Sequence, residues 1–271
     1  MGVCQEGMHE EIMTREDRMS NLLELKNVTK DFGGLRALLD VSFEIRSGEI
    51  VGLIGPNGSG KTTLLNVVGG IFPITGGKVF LDGGDITGLK SHEVAARGIS
   101  RTFQSIRLFH SMSVLDNTII GEYHRINAGL LIGVAAGKKY REQKRKIRAK
   151  ALDVLRFVGI EGLQNQMARS LPYGQKRLVE LARALASDPT LLMVDEPVGG
   201  LNFEEKNNLV NLLYRIRDKG ITILMIEHNM DVTMKICDRL VVLSSGEMIF
   251  EGLPAEAKRS QVVVEAYLGR E

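Results

Sequence analysis

The chain has 271 residues, of which 25% are charged and 44% hydrophobic, the proportions of an ordinary globular protein rather than a disordered or fibrous one. The 35 lysines and arginines nearly balance the 33 aspartates and glutamates, which argues against a dedicated nucleic-acid binder but leaves room for a local basic patch. The two cysteines, Cys4 and Cys237, lack CxxC spacing, so we expect reduced thiols in a cytosolic setting.

The N-terminal residues 1–20 are polar and acidic and lack the apolar stretch of a signal peptide, so we expect a flexible tail. The longest apolar run, 128–137, is well short of the about 20 residues that a membrane span needs. We therefore expect a chain without a membrane span, in which residues 21–271 form the folded domain.

Short apolar or alternating runs predict strands at 22–27, 41–46, 50–54, 78–82, 191–194, 221–226 and 240–243. From residue 114 to about 160 the pattern is helical, with Ile147, Ala151, Val154 and Val158 on one face. Beyond Gly174, strands again alternate with helices. This order predicts an α/β fold with a mostly parallel sheet, into which the helical middle is inserted.

The segment 55–62 reads Gly-Pro-Asn-Gly-Ser-Gly-Lys-Thr and matches G-x-x-x-x-G-K-S/T at every position, between a predicted strand and a predicted helix. In such a loop, backbone N–H groups and the helix N-terminus surround a polyphosphate. Lys61 is expected to reach the terminal phosphates, and Thr62 to ligate Mg²⁺. A chance glycine-rich turn would not account for both spacing and context. The residues expected to contact the nucleotide here are Asn57, Gly58, Ser59, Gly60, Lys61, Thr62 and Thr63.

Two acids follow the buried run 191–194, where a nucleotide site needs a carboxylate for its metal. Asp195 would hold Mg²⁺, and Glu196 would orient or deprotonate the attacking water. Taken alone, such a pair of acids is more often part of a solvated turn. The presence of the phosphate loop in the same chain favours the functional interpretation instead. His228 follows the next buried strand and should emerge at the same sheet edge, within reach of a γ-phosphate. A lone histidine there is usually structural, so its assignment depends on the whole set.

Residues 171–175, Leu-Pro-Tyr-Gly-Gln, precede a predicted helix at 176–186 and resemble the Leu-Ser-Gly-Gly-Gln signature of ABC transporter ATPases. The resemblance extends from about residue 22 to 269. It implies that Phe32 stacks on adenine, that Gln104 senses Mg²⁺ and contacts a membrane partner, and that residues 199–202 cross to an opposite subunit. It also makes His228 the switch histidine. The signature residues that would bind the opposite subunit's nucleotide are Tyr173, Gly174 and Gln175.

The fold implied by this resemblance is a P-loop NTPase core with a mostly parallel sheet, an antiparallel β subdomain and an inserted helical subdomain at about 105–185. The implied cofactors are ATP and Mg²⁺. The implied catalytic residues are Lys61, Gln104, Glu196 and His228, and the implied metal ligands are Thr62, Gln104 and Asp195.

Four features resemble one subgroup, the longer of the two ATPase subunits of bacterial branched-chain amino acid importers. They are Tyr173, the stretch 103–109, an extra segment near 123–145 and the ending 265–269. The implied partners are a second ABC ATPase subunit, identical or not, two membrane permease subunits and, indirectly, a periplasmic or extracellular substrate-binding protein, with no nucleic acid. The implied location is the cytoplasmic face of the inner membrane. Alternatives are an ABC ATPase for lipopolysaccharide export, urea or other polar solutes, and a non-transport ABC protein.

The sequence departs from the family pattern at two positions of the partner-facing motifs. Pro172 replaces the signature serine and removes a hydroxyl and an N–H donor. Asn202 replaces the more common aspartate of the crossing loop. Both changes are expected to weaken what this chain gives to its partner's site.

Two other features have more than one interpretation. Eight positive residues at 138–150, against Glu142, form either a solvated helix face, which we prefer, or a nucleic-acid or lipid-headgroup patch. Phe103 and Phe109 form either a socket for a transporter helix or part of the core.

Overall fold

The computed structural model describes residues 20–122 and 138–268. The expected tail up to residue 19, the apolar run at 128–137 and Gly269 lie outside these ranges, as does most of the extra segment near 123–145.

An antiparallel sheet is formed by the N-terminal part of the described chain, in the order β2-β1-β4-β5. Its strands are β1 (Asn21–Phe32), β2 (Leu35–Arg46), β4 (Gly76–Leu81) and β5 (Gly84–Asp85). β1 and β2 are longer than predicted, because they continue as a two-stranded ribbon whose distal residues, from Asp31 to Arg36, are mostly polar or exposed.

The second sheet has six strands in the order β10-β9-β3-β8-β7-β6, and all neighbours are parallel except β10 and β9. The central strands are short and buried throughout, which explains why they appear in the sequence as continuous apolar runs. The six strands are β3 (Ile50–Ile54), β6 (Ile99–Arg101), β7 (Leu191–Asp195), β8 (Thr222–Ile226), β9 (Arg239–Ser244) and β10 (Glu247–Gly252).

The helices described are α1 (Lys61–Val68), α2 (Ser91–Ala96), α3 (Val114–Ile120), α4 (Lys138–Val158), α5 (Tyr173–Ala186), α6 (Phe203–Asp218), α7 (Met230–Ile236), α8 (Pro254–Ala257) and α9 (Gln261–Leu268). α5 begins three residues before the predicted start. In the described ranges, no helix has the length and apolar composition to cross a membrane.

The six-stranded sheet divides the core in two, since successive side chains on a strand point to opposite faces. Leu192 and Ile223 belong to the cluster that includes α3, α4, α5 and α6. Leu191 and Leu224 belong to the cluster shared with α1 and the antiparallel sheet. The predicted combination of a mostly parallel sheet, an antiparallel β subdomain and inserted helices is therefore confirmed.

The predicted apolar stripe of α4 faces this core. Ala151 and Val158 are buried, Ile147 and Val154 are partly buried, and Leu155 completes the stripe. Five basic side chains on the other faces are exposed, in keeping with the solvated helix face that we prefer. They are Arg141, Lys144, Arg145, Lys146 and Arg148.

Candidate functional site

The predicted site residues lie at one edge of the six-stranded sheet, where its parallel strands end. The register aligns Leu53 of β3 and Asp195 of β7 with Ile226 of β8, and Arg101 of β6 with Met193 of β7. The loops after β3, β7 and β8 therefore begin at nearly the same level, and the loop after β6 begins two residues earlier. Ligands of open α/β sheets bind at this edge.

The phosphate loop needs glycine for steric as well as conformational reasons. Gly55 has φ 150°, and an added Cβ would lie 2.1 Å from the carbonyl oxygen of Leu243. Gly60 has φ 100°, and its Cβ would lie 2.7 Å from the carbonyl oxygen of Ala37. A side chain at either position would force the loop away from the neighbouring backbone. Helix α1 then begins at Lys61, so its N-terminal N–H groups face the loop.

The Lys61 ammonium group is buried inside this loop. Its Nζ donates to the carbonyl oxygens of Gly55 and Pro56, both at 2.8 Å. Burial lowers the pKa of Lys61, and the negative charges of Glu196 and Asp195 oppose that shift. The ammonium group is therefore held where the loop would surround a polyphosphate, and it interacts electrostatically with Glu196 and Asp195.

Two predicted catalytic side chains, Gln104 and His228, meet at one oxygen atom of a third, Glu196. Gln104 Nε2 donates to Glu196 Oε1 at 3.1 Å, and His228 Nε2 lies 3.0 Å from the same oxygen. Glu196 has φ 47°, a left-handed conformation that is uncommon for residues other than glycine. Its backbone N–H donates to the carbonyl oxygen of Ile226 at 2.9 Å, which anchors this turn to β8. Strained backbone of this kind is frequent at functional sites.

Asp195 is buried and paired with Arg101, a residue that sequence reasoning missed. Arg101 Nη2 lies 3.0 Å from Asp195 Oδ2, and the two side chains are 9% and 6% exposed. Arg101 Nη1 also donates to Asn66 Oδ1 of α1 at 2.6 Å. The guanidinium group thus links the end of β7 to the helix that follows the phosphate loop. Arg101 lies on β6, whose three residues are too few to give a periodic signal.

Glu227 is a second residue that sequence reasoning missed. It is buried between β8 and α7, and its Oε1 accepts the backbone N–H groups of His228 at 2.9 Å and Asn229 at 3.0 Å. The side chain of Asn229 caps α7 in turn, by accepting the N–H of Val232. Glu227 therefore fixes the turn that presents His228. An acid directly after a buried strand was the available signal.

A cavity of about 420 Å³ lies between the phosphate loop and the side chains of Gln104, Glu196 and His228. Phe32 lies at its rim, 41% exposed, where its ring packs edge-on against Phe72 with 5.2 Å between centroids. The Nζ of Lys30 lies 4.7 Å from the Phe32 ring centroid. The predicted residues that line the cavity are Phe32, Asn57, Gly58, Ser59, Gly60, Lys61, Thr62, Thr63, Gln104, Glu196 and His228.

The donor set in and beside this cavity fits a magnesium–nucleotide complex. The volume of the cavity lies within the range of about 300–1,000 Å³ that is usual for small-molecule pockets. Phe32 and Lys61 both line the cavity, so an aromatic ring and a cation are available to the two ends of a nucleotide. Thr62 and Asp195 supply the oxygen atoms that Mg²⁺ prefers in proteins.

The signature residues lie elsewhere. Gly174 and Gln175 line a separate cleft between α5 and α6. Pro172 is the N-cap of α5, and the first helical hydrogen bond runs from the N–H of Lys176 to the Pro172 carbonyl oxygen at 3.0 Å. The N–H groups of residues 173–175 are the leading amides of this helix and have no partner within it.

Asn202 is the N-cap of α6. Its side chain accepts the N–H of Glu205 at 2.9 Å, and the Glu205 carboxylate accepts the N–H of Asn202 at 2.9 Å. This reciprocal capping box gives Asn202 a local role in addition to its place in the crossing loop.

Comparison with known proteins gives consistent results. A family model described as ABC transporter matches residues 38–199. The high-affinity branched-chain amino acid transport ATP-binding protein BraF of Pseudomonas aeruginosa is 37% identical, over 92% of this chain and 98% of its own. The corresponding protein LivG of Escherichia coli is 36% identical with the same coverage.

Solved structures agree with these relatives. An ATP-binding cassette of an ABC transporter in its ADP conformation matches with a TM-score of 0.81 and 33% identity, over 93% of this chain and all of that one. A dimeric bacterial ABC transporter cassette matches with a TM-score of 0.73 and 29% identity, over 86% and 99% of the two chains.

Proposed function

This chain belongs to the ABC transporter family, and we propose that it is the ATP-binding and hydrolysing subunit of an importer for branched-chain, hydrophobic amino acids. The observation that carries the proposal is the placement of Glu196, held by Gln104 and His228, beside the loop that contains Lys61. The cargo is inferred from the relatives, which are named as branched-chain amino acid transport ATP-binding proteins. The match extends over nearly their whole length.

The catalytic roles follow from the positions of the side chains. Lys61 and the loop amides bind the terminal phosphates, while Thr62 and Asp195 hold the metal. Bound Mg²⁺ would supply positive charge that offsets the charge developing on the phosphates. Glu196 accepts the proton of the attacking water through a carboxylate oxygen. Gln104 and His228 keep that carboxylate in place, and His228 can also donate to the γ-phosphate.

A second cassette completes the site in this proposal. The signature residues lie in a separate cleft, so another chain must offer its own α5 to the nucleotide. The dimeric cassette among the structural relatives supports such an arrangement. The further partners are two membrane permeases and, through them, a substrate-binding protein outside the membrane. The chain then works at the cytoplasmic face of the inner membrane.

Two substitutions test the hydrolytic function. Glu196→Gln should keep ATP binding and lower turnover by about 100-fold or more, the range expected for losing a general base. Lys61→Ala should abolish ATP binding in a nucleotide titration. Glu142→Gln, on the exposed side of α4, is the matched control and should change neither quantity. Phosphate release near the wild-type rate by Glu196→Gln would refute the assignment of the base.

The cargo needs a separate test, because cargo is selected by the binding protein and the membrane subunits. Cells that lack their own branched-chain uptake should accumulate labelled leucine when this chain is expressed with its permeases and binding protein. The Lys61→Ala variant should abolish that uptake. ATPase activity stimulated by urea or another polar solute, but not by leucine, would refute the cargo and keep the ATPase.

A further inference from the structure

The backbone of the loop that carries Gln104 is held from α5 by a buried ion pair. Arg177 Nη1 donates to the carbonyl oxygen of Phe103 at 2.7 Å, and Nη2 donates to that of Gln104 at 3.0 Å. Glu180 Oε1 accepts the N–H groups of Phe103 at 3.3 Å and Arg107 at 3.4 Å. The two side chains therefore contact both ends of residues 103–107, the glutamine loop.

The same pair is almost completely removed from solvent. Arg177 is 3% exposed, Glu180 is 0% exposed, and Arg177 Nη1 lies 3.1 Å from Glu180 Oε2. A buried ion pair is costly to form, and apolar residues of similar volume often serve stability equally well. The distinctive property of this pair is the number of backbone groups that it positions.

Arg177 also reaches the signature loop and the catalytic turn. Its Nη2 donates to Tyr173 Oη at 3.2 Å and lies 3.5 Å from the backbone carbonyl oxygen of Glu196. The Tyr173 ring packs on Gly200, where an added Cβ would lie 3.0 Å from the ring. One guanidinium group thus contacts the signature residue, the glutamine loop and the residue that carries the proposed base.

We propose that Arg177 and Glu180 couple the signature loop to the glutamine loop and Glu196 of the same chain. The proposal rests on the proposed function, in which residues 173–175 serve the nucleotide of the partner cassette. When that nucleotide engages Tyr173, the hydroxyl shifts Arg177. Arg177 then moves the carbonyl groups of Phe103 and Gln104, and with them the amide that holds Glu196. Arg177 is accordingly a positioning residue.

The first test separates positioning from folding in the full-length chain. Arg177→Gln should lower kcat by about 10-fold or more, as expected from losing hydrogen bonds to a charged group, while the Kd for ATP stays within about two-fold because the Lys61 loop is intact. The matched control, Arg156→Gln, removes an exposed arginine of α4 and should leave kcat and Kd unchanged. Loss of kcat and of ATP binding in proportion to a lower folded fraction would overturn the positioning role.

The second test uses a dimer in which only the chain that carries the substitution can hydrolyse ATP. The tested chain is paired with a cassette whose catalytic glutamate is replaced by glutamine. If the partner is a second copy of this chain, that replacement is Glu196→Gln. Only the site that contains the tested chain's Lys61 and Glu196 then turns over, and the partner's intact signature caps it. Tyr173→Phe in the tested chain removes only the hydroxyl that contacts Arg177.

Coupling within the chain predicts that Tyr173→Phe lowers the turnover of this pair by about 10-fold or more, the equivalent of one hydrogen bond to a charged group. If Tyr173 acts only on its partner's nucleotide, turnover stays equal to that of the pair with unmodified Tyr173. That result would overturn the coupling but not the proposed function. A pair with unmodified Tyr173 that hydrolyses no ATP would overturn the proposed function as well.

Discussion

The ion pair between Arg101 and Asp195 should stabilise the fold more than any exposed pair of the described chain. The charged atoms lie 3.0 Å apart and both side chains are nearly buried. At an effective dielectric constant of about 20, two unit charges at this distance attract by about 5 kcal/mol. Arg101→Met keeps most of the aliphatic stem of the side chain and leaves Asp195 buried without its partner. Breaking such a pair costs about 3–5 kcal/mol of unfolding free energy.

Thermal unfolding without nucleotide measures this loss. For a chain of this size, 1 kcal/mol corresponds to about 2–4 °C in Tm, so Arg101→Met should lower Tm by about 10 °C. Arg156→Met is the control, because Arg156 also contacts a carboxylate, Glu161, at 2.7 Å but on the surface. Exposed ion pairs contribute little to stability, so the control should shift Tm by no more than about 4 °C.

A double variant decides whether the unpaired charge causes the loss. Arg101→Met with Asp195→Asn removes both charges and should recover most of the Tm, although it also removes a proposed metal ligand. The reasoning is refuted if the double variant is no more stable than Arg101→Met alone. In that case the lost hydrogen bond to Asn66 or the packing against Phe103 accounts for the effect.

Three further outcomes follow from the structure. Asn202→Ala breaks the capping box with Glu205 and should cost about 1 kcal/mol in denaturant unfolding, whereas Asn202→Asp keeps the cap and should cost almost nothing. Burial raises the pKa of the Cys237 thiol, so in a Cys4→Ser background the native protein should resist a maleimide at pH 8, and labelling should require unfolding. Phe32→Ala should weaken ATP binding by about 5- to 100-fold, the equivalent of losing one aromatic stack on a base, with little change in kcat, as measured by titration and steady-state turnover.

The central sheet and the phosphate loop could be predicted from sequence because their signals are local. The strand 50–54 was predicted with its observed bounds, since five buried residues form one apolar run between turn signals. The loop 55–62 is specified by fixed spacing. The edge strands β5 and β6 were missed because two or three residues cannot show a period. β10 was missed because none of its residues is fully buried, so its pattern is weak.

The supporting residues of the candidate site could not be predicted in the same way. Arg177 is separated from Phe103 by 74 positions and Arg101 from Asp195 by 94, so each contact exists only once the fold brings the segments together. In sequence, Arg177 and Glu180 appear as ordinary polar residues of a surface helix. Their burial depends on the glutamine loop lying across α5, and a helical period carries no information about that.

The departures at Pro172 and Asn202 look less damaging in the structure than in the sequence. Both residues are N-caps, one of α5 and one of α6, and both helices begin with their leading amides in place. Proline at the start of a helix removes an N–H that the helix itself does not use. The partner's nucleotide would therefore lose one hydroxyl and one amide at position 172, while the N–H groups of residues 173–175 and the helix dipole still favour an anion. Because Tyr173 also packs on Gly200 and contacts Arg177, the helix that offers those amides is linked to this chain's own turn at Glu196, the proposed base. Despite the proline at position 172, the signature loop of this chain is thus suited to linking the partner's nucleotide site to this chain's own site.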